Sequence, residues 1–465
     1  MLLTLLLACS DPAPPAPPVE ARAETAPERP DIVLVIVDTL RADHLGAMGH
    51  SRPTSPNLDA LAARGAIFTR AYSQSGWTLA SVSSLLTGLL PHEHLAVRDS
   101  VERDRYGLLS EETVTLAEAL KAAGYATGAV VNNAFLAPVF QLDQGFDTYD
   151  WQGAWPDHHR GADATVSAGL AWLEAQQTPA FLMLHFMEPH MSYAPPDDLR
   201  GTFSPREGGP LPFPFVPSSE EAGRWMSGAY QPPDAVKTWM DQLYDEEILA
   251  VDRAVGALVR GLDGRARAKQ TALIVTADHG EEHWDHGGFE HGSTLYGEVT
   301  RVPLIAAGAV PVKGPVSAVV QHLDLFQGLL ALAGAPSPAG SRGANLWTLG
   351  QPGAPERAAL SEGVLYGEDI VSIVDSRARL VLNLETGLAE AWAVDAQGGE
   401  RERVPAQERE AVGARLLPML QRLRADPSPL RVASSTLLED KEAFEQLRAL
   451  GYLDEGGAPR GDPQR

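Results

Sequence analysis

The sequence predicts an α/β fold, with a central, largely parallel sheet between helices and a smaller α+β subdomain at the C-terminal end. Three observations carry this expectation. Apolar runs without alternation, above all IVLVIV at 32–37 and ALIVT at 272–276, read as strands buried on both faces. Amphipathic stretches of helical period lie between such runs, so strand and helix patterns alternate along the chain. Beyond about residue 335 the rhythm changes to short strand patterns and one late helix.

Taken in order, the chain begins with MLLTLLLACS and a proline-rich stretch that reaches about residue 30. This start resembles the lipobox of a bacterial lipoprotein, and the resemblance implies lipidation at Cys9, a tether over 1–30 and an extracytoplasmic location. The first strand, 32–37, is followed by helices beginning at 57 and at 78 (residues 78–87). Residues 116–123 (LAEALKAA) form an amphipathic helix ending at Gly124, and 126–131 the next strand. FLMLH at 181–185 is a third strand, a helix spans about 246–262, and 272–276 is a fourth strand. Residues 197–233, rich in Pro, Gly and Ser, read as an insertion or lid. A helix over 323–335 runs into GAPSPAGSRG, which divides a main domain (31–335) from a C-terminal subdomain and tail (336–465). In that subdomain, strand patterns at 368–374, 379–383 and 389–394 precede a helix near 408–423.

The 465 residues are 44% hydrophobic and 21% charged, ordinary values for a globular protein. A net charge of −24 repels nucleic acid and anionic lipid, so anion chemistry must be arranged locally and any membrane attachment falls to a lipid anchor. The single cysteine excludes a disulfide framework. No run approaches the roughly 20 apolar residues of a transmembrane helix.

Open parallel sheets place ligands beyond the carboxyl ends of their strands, and here three strand ends carry polar residues. The first strand ends in Asp38, the third in His185-Phe186-Met187-Glu188-Pro189-His190, and the fourth in Asp278-His279. A mixed carboxylate and imidazole set suits zinc or manganese, with calcium less favoured once a histidine is included. Four histidines fall within DHGEEHWDHGGFEHG, namely His279, His283, His286 and His291. A hydroxyl-rich segment beginning at Thr78 starts a helix, where the N-terminal dipole and amide donors favour an oxyanion. Trp77, Trp225 and Trp239 are core residues or stacking surfaces for a substrate ring.

The segments VDTLRADHLG (37–46), TSPNLDALAARG (54–65) and WTLASVSSLLTGLLPHEH (77–94) resemble the sulfatase family within the alkaline phosphatase superfamily. FMEPHMSY (186–193), TADHGEEHWDHGGFEHGSTLYGEVTRVPLI (276–305) and LRALGYL (447–453) continue the resemblance. It implies an alkaline-phosphatase/sulfatase-like fold and metal-assisted hydrolysis of sulfate or phosphate esters, with one divalent ion. Carried over by position, Asp38, Asp278 and His279 match metal ligands, and Thr78 falls at the nucleophile and metal-contacting position. His190 and His291 match residues contacting the transferred group. Arg41, Asn132 and His286 join them as candidate substrate contacts.

Several positions depart from the family pattern. Sulfatases proper make formylglycine from Cys or Ser, whereas this chain reads Thr78-Leu79-Ala80-Ser81-Val82, and threonine cannot become that aldehyde. Thr39 replaces the second aspartate of the usual pair, and Asn132-Asn133-Ala134 stands where a Lys-x-His element is common. These changes resemble threonine-using branches that transfer phosphoryl groups, implying a phospho-threonine intermediate and no formylglycine. Two-metal relatives carry an Asp-x-x-x-His element, read here at Asp245, with Leu249 in the histidine place, so a single metal is expected. Two rival readings share the motifs: a phosphoethanolamine- or glycerol-phosphate-type transferase acting on envelope lipid or polymer, and a non-catalytic binding protein of the same fold. Oligomeric state is not legible in the sequence.

Overall fold

The computed structural model describes residues 29–98, 106–152, 160–215, 219–349, 351, 353 and 356–425. Cys9, its tether up to residue 28 and the LRALGYL motif lie outside the described residues. Among those described, no helix is long and apolar enough to cross a membrane.

The main sheet contains β1 (Asp31–Val37), β2 (Ala66–Tyr72), β3 (Ala126–Val130), β4 (Thr148–Asp150), β5 (Ala180–Phe186) and β6 (Thr271–Ala277). After a two-stranded hairpin of β7 (Glu282–His283) and β8 (Phe289–Glu290), it is completed by β9 (Arg301–Val302), β10 (Leu304–Gly308) and β11 (Gly314–Gln321). The order is β11-β2-β10-β6-β1-β5-β3-β4, with β9 paired to β2. β6, β1, β5, β3 and β4 are mutually parallel, while β10 runs antiparallel to both β6 and β2. Every residue of β1, β5 and β6 is buried, as expected of strands covered on both faces. Each buried aliphatic side chain there contributes roughly 1.5–3 kcal/mol.

The covering helices are α1 (Pro56–Arg64), α2 (Thr78–Thr87), α3 (Pro91–His94), α4 (Leu116–Ala122), α5 (Ala162–Glu174), α6 (Ser219–Met226) and α7 (Asp234–Asp263), then α8 (Gly297–Thr300) and α9 (His322–Ala333). α2 is buried along its whole length and ends where Gly88, at φ 68°, adopts the left-handed conformation that terminates a helix. α7 begins at Asp234, twelve residues before the sequence-based start; the helical period is already present there, in Val236, Trp239, Met240, Leu243 and Tyr244, all of them buried.

Short α10 (Leu346–Leu349) leads to an antiparallel sheet of β12 (Ala359–Ser361), β13 (Ile370–Val374), β14 (Ala378–Asn383), β15 (Ala389–Val394) and β16 (Glu400–Arg403). α11 (Ala406–Ala425) packs on it through Val412, Leu416 and Leu420. The proline- and glycine-rich segment 197–233 is clasped to α7 rather than loose. Glu246 accepts hydrogen bonds from the backbone N–H groups of Gly201, Phe203 and Ser204 at 2.8–3.0 Å, and Glu247 from Ala194 at 2.7 Å. Trp77, Trp225 and Trp239 are all buried, so these indoles are core. Trp77 donates Nε1–H to the Gly363 carbonyl.

Candidate active site

The parallel pairing of β6, β1 and β5 brings their carboxyl ends level. Val37 lies opposite Ala277 on one side and Phe186 on the other, so the next residues, Asp38 and Asp278, emerge together. His279 follows, and Gly280 lets the chain leave, since a Cβ there would stand 2.0 Å from the Glu298 carbonyl oxygen. The chain from β2 runs through Ser73–Trp77 to start α2, which sets Thr78 at the first helical position beside the two carboxylates. Between the aspartates, Thr39 holds φ 54°, a costly left-handed conformation for a β-branched residue. Its N–H points to Asp278 Oδ1 at 3.3 Å, and its carbonyl accepts from Tyr244 Oη–H at 2.7 Å.

Thr78 Oγ1 is 3.4 Å from His279 Nε2 and 3.3 Å from Asn133 Nδ2. Asn133 also donates to Asp38 Oδ2 at 2.6 Å. Asp38, Asp278 and His279 each present one ligand atom within 4.8 Å of the others. Asp38 Oδ1 and Asp278 Oδ2 are buried without a hydrogen-bond partner, an expensive arrangement for a carboxylate unless a cation completes it. His279 Nε2 stands 3.7 Å from the first and 3.4 Å from the second. The Nδ1 atom of His279 is 2.9 Å from the Gly280 carbonyl oxygen, which fixes the tautomer with the Nε2 lone pair toward the aspartates. Burial keeps this imidazole neutral by pushing its pKa down to about 3. Burial and then mutual repulsion raise Asp38, and burial raises Asp278. Two hard oxygens and one neutral imidazole fit a divalent ion.

Around this core, His291 stacks obliquely on His279, with ring centroids 4.5 Å apart, and meets His190 edge-on at 5.0 Å. His190 Nδ1 is 2.5 Å from the Met191 carbonyl oxygen. Glu281 Oε1 holds His291 Nδ1 at 2.9 Å. Glu281 Oε2 in turn lies 3.5 Å from Tyr193 Oη, and that hydroxyl is 2.8 Å from His283 Nε2. Sequence reasoning did not single out Asn133 or Glu281. His185, at the end of β5, has its Nε2 3.6 Å from Asp38 Oδ2.

Three expected substrate contacts are not brought to this group. Asn132 donates instead to Thr165 Oγ1 and to the His185 carbonyl, because consecutive residues of an extended chain face opposite ways and Asn133 takes the inward place. Arg41 spends its donors on Asp43, Asp285 and the Glu281 carbonyl, so its guanidinium is already neutralised. His286 is occupied by Glu298 at 2.6 Å, with its ring stacked on Tyr296 at 3.8 Å. The Asp245 element also points elsewhere: Asp245 binds His44 and His50, so Leu249 has no bearing on how many metals the centre holds.

Residues 30–335 match the profile of the sulfatase family. The chain is 30% identical over 338 residues to arylsulfatase A of Bos taurus, a match spanning 66% of this chain and 65% of the bovine protein. It is 24% identical over 363 residues to a delta 4,5-hexuronate-2-O-sulfatase of Bacteroides thetaiotaomicron, covering 70% of this chain and 72% of that one. The crystal structure of a phosphonate monoester hydrolase of Agrobacterium radiobacter superposes with a TM-score of 0.67 at 19% identity, over 85% of this chain and 96% of that one. With a family profile matched over 30–335 and a sulfatase-like fold, the chain belongs to the sulfatase family.

Proposed function

We propose that this protein is a metal-dependent hydrolase of sulfate or phosphate esters whose nucleophile is Thr78, with phosphoesters the better substrates. The observation that carries the reading is the Thr78 hydroxyl, at a helix N-terminus, 3.3–3.4 Å from Asn133 Nδ2 and His279 Nε2 and beside two buried carboxylates with unpartnered oxygens. A threonine side chain cannot supply an aldehyde hydrate, so it must attack as an alcohol, and the covalent ester it forms has to be cleaved by water. The similar proteins span both chemistries by name, sulfatases on one side and a phosphonate monoester hydrolase on the other.

A divalent ion held by Asp38, Asp278 and His279 supplies Lewis-acid stabilisation of anionic charge when bound. The chain's own groups do the rest. Thr78 Oγ1 attacks phosphorus or sulfur in line with the leaving oxygen, forming the Thr78 ester while the leaving group departs. Asn133 Nδ2 steadies the hydroxyl before attack and donates to the transferred group afterwards. His190 and His291 flank that group. His291, neutral and oriented through Nδ1 by Glu281, takes up the Thr78 hydroxyl proton and delivers it to the departing oxygen, then accepts the proton of the water that cleaves the Thr78 ester and returns it to Thr78 Oγ1. At its amino end we propose that Cys9 is lipidated and anchors the chain outside the cytoplasm. Mass spectrometry of the mature N-terminus checks that point, an unmodified Met1 refuting it.

The central test is turnover of matched aryl sulfate, phosphate monoester and phosphodiester substrates, each with zinc, manganese and calcium. Phosphoester turnover that vanishes in Thr78→Ala, with +80 Da trapped on the Thr78 peptide by acid quench, is the expected result. Activity surviving in Thr78→Ala overturns the nucleophile, and faster sulfate turnover overturns the preference.

A further inference from the structure

A second meeting of imidazoles and carboxylates lies on the α7 side of the molecule. His44 from the short turn Ala42–His44, Asp241 from α7 and His283 from β7 each offer a ligand atom within 4.8 Å of the other two. Asp241 Oδ1 is 3.7 Å from His44 Nε2 and 3.4 Å from His283 Nδ1. Both separations exceed the roughly 2.7–3.2 Å of a good N–H···O hydrogen bond. They lie close instead to the edge of a coordination tetrahedron: zinc bonds of ~2.0–2.2 Å set adjacent ligand atoms about 3.3–3.6 Å apart.

The outward atoms of all three residues are already held. His44 Nδ1 meets Asp245 Oδ1 at 2.7 Å, and His283 Nε2 meets Tyr193 Oη at 2.8 Å. Arg52 pairs with Asp241 through Oδ2, leaving Oδ1 to the imidazoles, and also with Asp245. His50 stacks on His44 at 4.7 Å and places Nε2 3.0 Å from Asp245 Oδ2. Each imidazole therefore has one nitrogen fixed by an oxygen and the other turned to Asp241 Oδ1, the arrangement that orients metal-binding histidines. Charge agrees as well. Two aspartates and one arginine leave a net −1 for a dication between neutral imidazoles. Asp241, 29% exposed against 8% and 5% for the two histidines, marks the side from which solvent or an ion enters.

We infer that His44 Nε2, His283 Nδ1 and Asp241 Oδ1 form a second metal site, taking zinc or a similar late first-row divalent ion in preference to magnesium or calcium. Two nitrogen donors in three set that preference, since the hard cations take oxygen. The site is separate from the Asp38 centre and does not depend on Thr78 acting as nucleophile.

The test counts ions in the full-length protein after chelation, dialysis and titration with zinc alone, read by elemental mass spectrometry. Asp278→Asn, which disables the sheet-edge centre, should retain one zinc per chain that excess magnesium or calcium does not displace. Adding Asp241→Asn should remove it. Asp241 is partly exposed, and circular dichroism is the check that the double variant is folded. As a second readout, cobalt bound to Asp278→Asn should show the visible bands of a tetrahedral nitrogen and oxygen site, and these should be lost in Asp278→Asn/His283→Gln. Failure of Asp278→Asn to hold stoichiometric zinc, or retention of that zinc when Asp241→Asn is added, overturns the inference.

Discussion

The Asp38 centre and the His44 cluster use the same chemical alphabet, aspartate and histidine, on different scaffolds. The first sits where β6, β1 and β5 end in register, so backbone pairing places its ligand residues side by side. Its aspartates and His279 are wholly buried. The second joins a short turn, the face of α7 and a two-stranded hairpin, and each of its imidazoles needs an outside partner to aim it. A sheet edge orients side chains through the main chain, whereas a helix face and loops need a surrounding shell of hydrogen bonds. The two are joined by a thread from His283 through Tyr193 and Glu281 to His291.

Substitutions at the two places separate these modes of construction. The largest effect is expected at the sheet edge: Thr78→Ala lowers turnover by roughly 10³-fold or more, as loss of a nucleophile does, with the melting temperature nearly unchanged. Next comes the asparagine pair. Asn133→Ala loses a donor beside the nucleophile and drops kcat by about 10²-fold. Asn132→Ala leaves kcat nearly unaltered but costs about 1–3 kcal/mol in denaturant unfolding, because Thr165 and the His185 carbonyl lose a buried partner. Equal effects of the two on kcat would refute the inward placement of Asn133. Tyr193→Phe cuts the thread while keeping the ring, and should change kcat by only a few-fold. A loss as large as that of Thr78→Ala would make the two clusters one working unit.

The smallest expected effect concerns the clasp on α7. Burial, then repulsion from Glu188, pushes Glu247 from 4.5 up to about 8. Between those values the unfolded chain gives up a proton that the folded chain keeps. Stability from this group is therefore complete below about pH 4.5 and is lost as pH rises toward 8. Glu247→Gln, which still accepts from the Ala194 N–H, should melt above the wild type at pH 8 and converge with it near pH 4.5. Identical melting profiles would show that Glu247 titrates normally.

The legibility of each region in the sequence follows from the same contrast. β1, β5 and β6 were readable because strands buried on both faces leave continuous apolar runs, and Asp38, Asp278 and His279 fall directly beyond them. α2 was readable to the residue, bounded by an extended Trp77 and by Gly88. β2 was missed because AIFTRAY mixes charge into a strand with two half-buried positions, and β11 because its burial is irregular. Asn132 and Asn133 are chemically identical neighbours, and only the backbone twist decides which faces inward. Arg41 reads as a free cation until the fold brings Asp285 to it from 244 residues away. The density of histidines in 278–292 was visible, yet their separation into partners of Asp241, Glu298 and Glu281 depends on where the hairpin lies.

The ten residues of α2 are all buried, and three of its hydroxyls are held inward: Ser81 donates to the Asp278 carbonyl, Thr87 to the Ser83 carbonyl, and Ser84 contacts His94. Replacing any of them disturbs the seating of Thr78. Change is therefore channelled away from this helix toward the outer loops, where side chains can vary without moving the Thr78 hydroxyl.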